Sequence, residues 1–137
     1  MTSDPSFVFD TSVLVRALLL PRSIPRQAFD RAFALGNVLA SVATIDELDA
    51  VLRRPKFDRY VQEAERLEFL AAFIRDTTLV DVTEVVTDCR DAKDNKFLEL
   101  AVCGNATCII SADGDRLVLH PFRGISIVTP HEFLSQP

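Results

Sequence analysis

Apolar and polar positions switch repeatedly along the chain between strand-like runs and helix-like spacing. "FVFD", Phe7 to Asp10, is a short apolar run closed by an acid and predicts a first strand. Val13, Leu14, Ala17 and Leu18 then recur at helical spacing, with Thr11 or Ser12 as the cap and Pro21 as the stop. "IPRQAFDRAFALG" predicts a second helix, with Pro25 in its first turn and Gly36 closing its end. "NVLAS" reads as a second strand. Ser41 caps a third helix, whose Ile45, Leu48, Val51 and Leu52 form one stripe that Pro55 ends. A short helix is expected around Phe57 to Tyr60. "QEAERLEFLAAFIRD" is amphipathic, with Leu67, Leu70, Phe73 and Ile74 inward, and "TLVDVT" predicts a strand. "DAKDNKFLELAVCGN" predicts a helix with Phe97, Leu98, Ala101 and Val102 on one side. "TCIIS" is almost wholly apolar, as a strand buried on both faces must be. "GISIVT" and "PHEFLSQ" predict a last strand and a last short helix.

Strands alternating with helices imply an α/β fold with a central parallel sheet covered on both faces. A chain of 137 residues without linker or repeat is expected to form a single domain, 1–137. The hydrophobic share, 48%, excludes a disordered chain and leaves room for an apolar contact surface. No membrane segment is expected, because "SVLVRALLLP" is interrupted by Arg16 and stopped by Pro21. "MTSDPSF" lacks the basic region of a secretory signal. The three cysteines, Cys89, Cys103 and Cys108, form no pairing pattern and read as reduced thiols of a cytoplasmic protein. His120 and His131 are too far from them to suggest a zinc site. A net charge of −5 disfavours non-specific nucleic-acid binding, unless the charge is unevenly placed.

The acids are unevenly placed. In a parallel α/β sheet, ligands bind beyond the carboxyl ends of the strands. Asp10 ends the first strand, and Asp113 and Asp115 follow "TCIIS". Glu47 and Asp94 stand early in helices that begin at the same edge, and Glu47 lies off its helix's apolar stripe. Each acid has an ordinary explanation. Asp10 suits a helix cap, Asp91 and Asp94 suit a capped helix start, Glu47 a solvated surface, and Asp113-Gly114-Asp115 a turn. Together these explanations require several coincidences at one edge. Clustered carboxylates repel unless a cation neutralises them. Oxygen ligands without histidine or cysteine suit Mg²⁺ or Mn²⁺, whose chemistry at such sites is phosphoryl transfer.

The motifs "FVFDTSVLVRALL", "ELDAVLRRPKF", "CRDAKDNKFLELAV", "IISADGDRL" and "GISIVTPHEFL" occur in an order that resembles the PIN-domain proteins. More narrowly, they resemble the branch assigned as VapC-like toxin components of prokaryotic toxin–antitoxin systems. The likeness runs from about Phe7 to Leu134. It implies a three-layer α/β/α sandwich around a parallel sheet of four to five strands. It also implies a metal-dependent endoribonuclease using one or two Mg²⁺ or Mn²⁺ ions. Carried over by position, the catalytic and metal-binding acids are Asp10, Glu47, Asp94 and Asp113, with Asp115 as an additional metal ligand. Ser12, Ser111 and Asp91 take supporting positions around them. Ser12, Ala92 and Ala112 depart from the Asn, Pro and Gly frequent in relatives, which bears on fine geometry.

RNA approaching an acidic site needs cations at its rim. Arg16, Arg53, Arg54, Lys56, Lys93, Lys96 and Arg116 flank the motifs, and Arg53-Arg54-Pro55-Lys56 is the densest group. Solvated surface charge explains any one of them equally well. The resemblance further implies a small antitoxin laid over the site, with the helices from Leu18 to Phe33 as its groove, and a homodimer. Two rival readings stand beside this one. One is a degenerate PIN domain that only binds. The other is a haloacid-dehalogenase-type phosphatase, which needs a second acid where Ser12 stands.

Overall fold

A computed structural model describes residues 4–136. Five strands, β1 (Ser6–Phe9), β2 (Asn37–Ala40), β3 (Thr78–Leu79), β4 (Cys108–Ile110) and β5 (Ser126–Val128), form one sheet in the order β3-β2-β1-β4-β5. Every neighbouring pair is parallel. The connections carry α1 (Thr11–Leu19), α2 (Ile24–Leu35), α3 (Val42–Leu52), α4 (Glu63–Asp76), α5 (Asn95–Cys103) and α6 (Gly114–Leu117), with α7 (Pro130–Ser135) after β5. Among the described residues no helix is long and apolar enough to cross a membrane.

The two-residue side-chain period of the strands divides the core. Phe7, Phe9, Val38, Ala40, Cys108, Ile110 and Val128 face α1–α4 and α7. Val8, Leu39, Ile109 and Ile127 face α5 and the segment carrying Val86 and Cys89. The outcome is a three-layer α/β/α sandwich. Phe29 of α2 centres an aromatic group, 5.0 Å from Phe33, 5.6 Å from Phe69 and 6.0 Å from Phe9 between ring centroids. That group explains why so many of the phenylalanines lie in helical stripes.

The elements depart from the sequence expectation at identifiable points. Thr11 lies inside α1, and Asp10 takes the N-cap position without a side-chain cap bond. The turn at Pro55–Phe57 is a single 3-10 turn, not a helix through Tyr60. Ile74 is exposed, because the inward face of α4 is Leu70, Phe73 and the buried Arg66. The third strand stops at Leu79. Leu79 pairs with Ala40, the last residue of β2, and one further bond, from the Val80 amide to the Ala40 carbonyl at 2.8 Å, closes the ladder where α3 begins. Gly36 is extended, not left-handed, and serves close approach: a Cβ there would lie 2.0 Å from the Pro5 carbonyl oxygen.

Arg66 is fully buried. Its Nε donates to the Leu52 carbonyl at 2.6 Å, tying off the end of α3, and Nη2 meets Asp58 at 2.9 Å. Its aliphatic stem packs in the core while its donors satisfy carbonyls that have no helical partner. Arg66→Met should therefore lower stability by roughly 2–4 kcal/mol. The urea midpoint should fall with the m-value unchanged, and Arg66→Lys should recover only part of the loss.

Candidate active site

The strand order reverses direction at β1, which pairs with β2 on one side and β4 on the other. Such a switch point opens a crevice at the carboxyl ends of the two central strands. The register places Phe9 opposite Ile110, so the next residues, Asp10 and Ser111, emerge side by side. The Asp10 amide donates to the Ile110 carbonyl at 3.1 Å, and Ser111's amide to Val128 at 2.9 Å. Both residues are fully buried.

Ser111 Oγ donates to Asp10 Oδ2 and accepts from the Asp113 amide at 3.0 Å, so one hydroxyl links the two acids. Asp113 caps α6, its Oδ1 accepting from the Asp115 amide at 2.8 Å. Asp94 ends the 3-10 turn Ala92–Asp94, whose start Asp91 caps by accepting from the Lys93 amide at 3.3 Å.

The three aspartates converge on one side chain. The Arg116 guanidinium lies 2.8 Å from Asp10 Oδ2 through Nη2 and 2.9 Å from Asp94 Oδ1 through Nη1. Asp113 Oδ2 stands 3.5 Å from Nη2. Arg116 is buried, and its guanidinium carbon sits 4.8 Å from the Phe97 ring centroid. Pairing is incomplete on both sides: Asp10 Oδ1 and the Nε and Nη1 donors are buried without an aligned hydrogen-bond partner. Burial pushes the Asp10 carboxyl up, against the opposing pull of Arg116 and Ser111. Burial disfavours the Arg116 charge, but the Asp10 and Asp94 carboxylates outweigh it and raise the group further.

Glu47 occupies the same crevice with a different partner. Its Oε1 accepts from Lys96 Nζ at 2.8 Å, and Thr11 Oγ1 donates to Oε2. Burial raises the Glu47 carboxyl, but Lys96 and Thr11 together hold it below its ordinary value, so it stays ionised. A cavity of about 580 Å³ opens over Glu47, Asp113 and Arg116, with Arg16, Arg54, Lys56 and Lys93 among its walls.

Not every expected residue faces that cavity in its expected part. Arg116 is no rim cation but the centre of the acidic group. Lys96 is taken up by Glu47. Arg53 pairs with Asp49 at 2.9 Å, one turn back on α3, and does not line the cavity. Ser12 is exposed on the cavity wall, and Thr11 beside it makes the contact to an acid. Asp115 points away, 3.9 Å from the exposed Arg90. Arg116 was misplaced because the spacing gave no sign of α6. Once a helical turn starts at Asp113, the residue three positions on faces back over it.

The PIN-domain family model matches residues 6–115. This chain is a PIN domain. It is 29% identical over 139 residues to the uncharacterized protein MJ1680 of Methanocaldococcus jannaschii, spanning 94% of this chain and 89% of that protein. Its fold superposes on VapBC2 from Rickettsia felis bound to a DNA fragment from their promoter, with a TM-score of 0.62 at 11% identity. That match covers 89% of this chain and 96% of the other. PAE2754 from Pyrobaculum aerophilum matches with a TM-score of 0.56 at 12% identity, covering 97% and 91%.

The donor set of this PIN domain fits a hard divalent cation in type: Asp10, Asp94 and Asp113 offer only carboxylate oxygens, and Asp10 Oδ1 is buried with nothing bound to it. Yet among the described residues no three His, Cys, Asp or Glu side chains stand together as a ready ligand set. The Arg116 guanidinium holds the middle.

The raised Asp10 carboxyl has a signed consequence. Such a group contributes its full stability below its ordinary value of 3.8 and loses it as pH rises through the folded value. Ionised Asp10 is thus a net cost at neutral pH. Asp10→Asn should unfold at a higher urea concentration than wild type near pH 7, the gap closing below about pH 4. Equal midpoints across the range would show that the arginine fully offsets the burial.

Proposed function

We propose that this PIN domain is a Mg²⁺- or Mn²⁺-dependent endoribonuclease and the toxin of a type II toxin–antitoxin pair. It belongs to a family whose members are in general nucleases. The observation that carries the reading is the convergence of Asp10, Asp94 and Asp113 at the switch point of the sheet, under a cavity with cationic walls.

Asp10, Asp94 and Asp113 would hold one or two ions, with Glu47 completing the shell directly or through water, while Asp115, expected there from the sequence, lies toward Arg90. A bound cation supplies a water of lowered pKa and offsets charge on the leaving oxygen. Ser111 fixes the Asp10 carboxylate by its hydroxyl, and Lys96 with Thr11 keeps Glu47 ionised and oriented. Arg16, Arg54, Lys56 and Lys93 offset phosphate charge at the cavity wall, so an RNA strand meets local positive charge despite the net charge of −5.

For the antitoxin, the supporting feature is a groove of about 380 Å³ between α2 and α4, walled by Phe29, Phe33, Phe69 and Phe73. An amphipathic segment with apolar anchors fits such a groove. The resemblance to VapBC2 supports a two-protein system, and we take the protein to be a cytoplasmic homodimer.

One observation favours a second reading. Arg116 at the centre of the acids suits a PIN domain that binds without cleaving. The phosphatase reading lapses with the family assignment, and Ser12 provides no second acid.

The deciding experiment is cleavage of a structured RNA mixture in Mn²⁺, Mg²⁺ or EDTA. Wild type should cleave only with metal, and Asp10→Asn and Asp94→Asn should each lose roughly 100-fold or more while remaining folded. RNA binding without cleavage at any metal concentration would establish the binding module instead. On an Asp10→Asn background, Arg54→Ala with Lys56→Ala should flatten the slope of log affinity against log salt by about 1.4, at about 0.7 per single-strand phosphate contact. Arg53→Ala should leave that slope unchanged.

A further inference from the structure

The Arg116 guanidinium and a divalent cation draw on the same three carboxylates. Asp10 Oδ2 and Asp94 Oδ1 lie 2.8 and 2.9 Å from the guanidinium nitrogens. Mg²⁺ needs its ligands at about 2.1 Å in near-octahedral order. Two cations among these three carboxylates repel each other and divide the same negative charge. The guanidinium is also imperfectly satisfied, with Nε and Nη1 lacking aligned acceptors while Asp10 Oδ1 is free. A group so placed offsets one of the three negative charges and leaves the acids unsaturated.

The surroundings let it leave. Arg116 lines the 580 Å³ cavity, so its side chain has space in front of it. It stands on a four-residue helix that begins at Gly114, where even an added Cβ would meet nothing within 4 Å. In the cavity it would join Arg16, Arg54, Lys56 and Lys93, beside the expected path of phosphate.

We propose that Arg116 is a resident counter-cation that competes with divalent metal for Asp10, Asp94 and Asp113. The domain then has a closed form, in which the guanidinium sits among the acids, and an open form, in which metal has displaced it into the cavity. Metal affinity is weakened by the work of that displacement, so cation supply sets the fraction of open sites. This inference rests on the metal-dependent reading above and deepens it.

Isothermal titration of Mn²⁺ into the full chain, wild type against Arg116→Leu, tests it. Leucine keeps an apolar stem against Phe97 and removes the competing charge. Arg116→Leu should bind Mn²⁺ at least tenfold more tightly. It should also melt lower than wild type in EDTA and gain more on Mn²⁺ addition, because its carboxylates then lack any counterion. Equal affinities would overturn the competition and leave the metal reading standing. Absence of Mn²⁺ binding by both proteins would overturn the two together.

Should Arg116→Leu not fold, wild type itself decides. The Arg116 Nε–H NMR signal, assigned by its loss in Arg116→Lys, carries the ring-current shift of Phe97. Mg²⁺ should move it toward an ordinary arginine position as the site fills. A signal that stays in place while Mg²⁺ binds would overturn the proposal.

Discussion

Parallel pairing of β1 along both edges is the constraint from which the site follows. A strand hydrogen-bonded on both sides and covered on both faces brings its carboxyl end out inside the protein. Asp10 is therefore fully buried. With Phe9 opposite Ile110, the chain after β4 must emerge next to it, which brings Ser111 and then Asp113 to the same place. α5 enters from the other layer and adds Asp94 at its start. The acids are gathered by sheet geometry, and their mutual repulsion is a cost the fold has to offset elsewhere.

It is offset by two ion pairs of different character. Arg116 lies among three aspartates with almost no exposure to water, so each charge acts through a poorly screened interior. Lys96 and Glu47 meet nearer the surface, each partly open to solvent. The first has high stakes on the arginine side, because removing Arg116 leaves three clustered carboxylates without a counter-charge. The second is an orienting contact that solvent partly screens. One arginine offsets only one of the three aspartate charges, so the floor of the acidic edge stays net negative, while Arg16, Arg54, Lys56 and Lys93 stand at its mouth.

This arrangement lets a protein of net charge −5 carry cations on the walls of its acidic crevice. Asp10 and Asp94 lie beneath the crevice against Arg116, Glu47 and Asp113 reach its wall, and Arg16, Arg54, Lys56 and Lys93 stand around them. The groove between α2 and α4 and the cavity over the acids have no lining residue in common, so the two are separate surfaces.

The α/β class, the parallel sheet and the positions of Asp10, Glu47, Asp94 and Asp113 near one edge were legible in the sequence alone. Strand runs and helical stripes are local patterns, and the carboxyl-edge rule converts them into a place. The inward faces were legible where apolar periodicity was clean, as with Leu48 and Leu52 or Phe97 and Leu98. Arg66 and Arg116 were not, because a buried arginine looks like a surface one until the carbonyls or carboxylates that receive it are brought from elsewhere in the chain. Thr11 in place of Ser12, the short β3 and the turn of α6 were likewise decided by register and by which partner remained within reach. Sequence determined which groups the edge would carry. Only tertiary structure decided which charges meet there, because Coulomb and hydrogen-bond energies depend on distances between residues far apart in the chain.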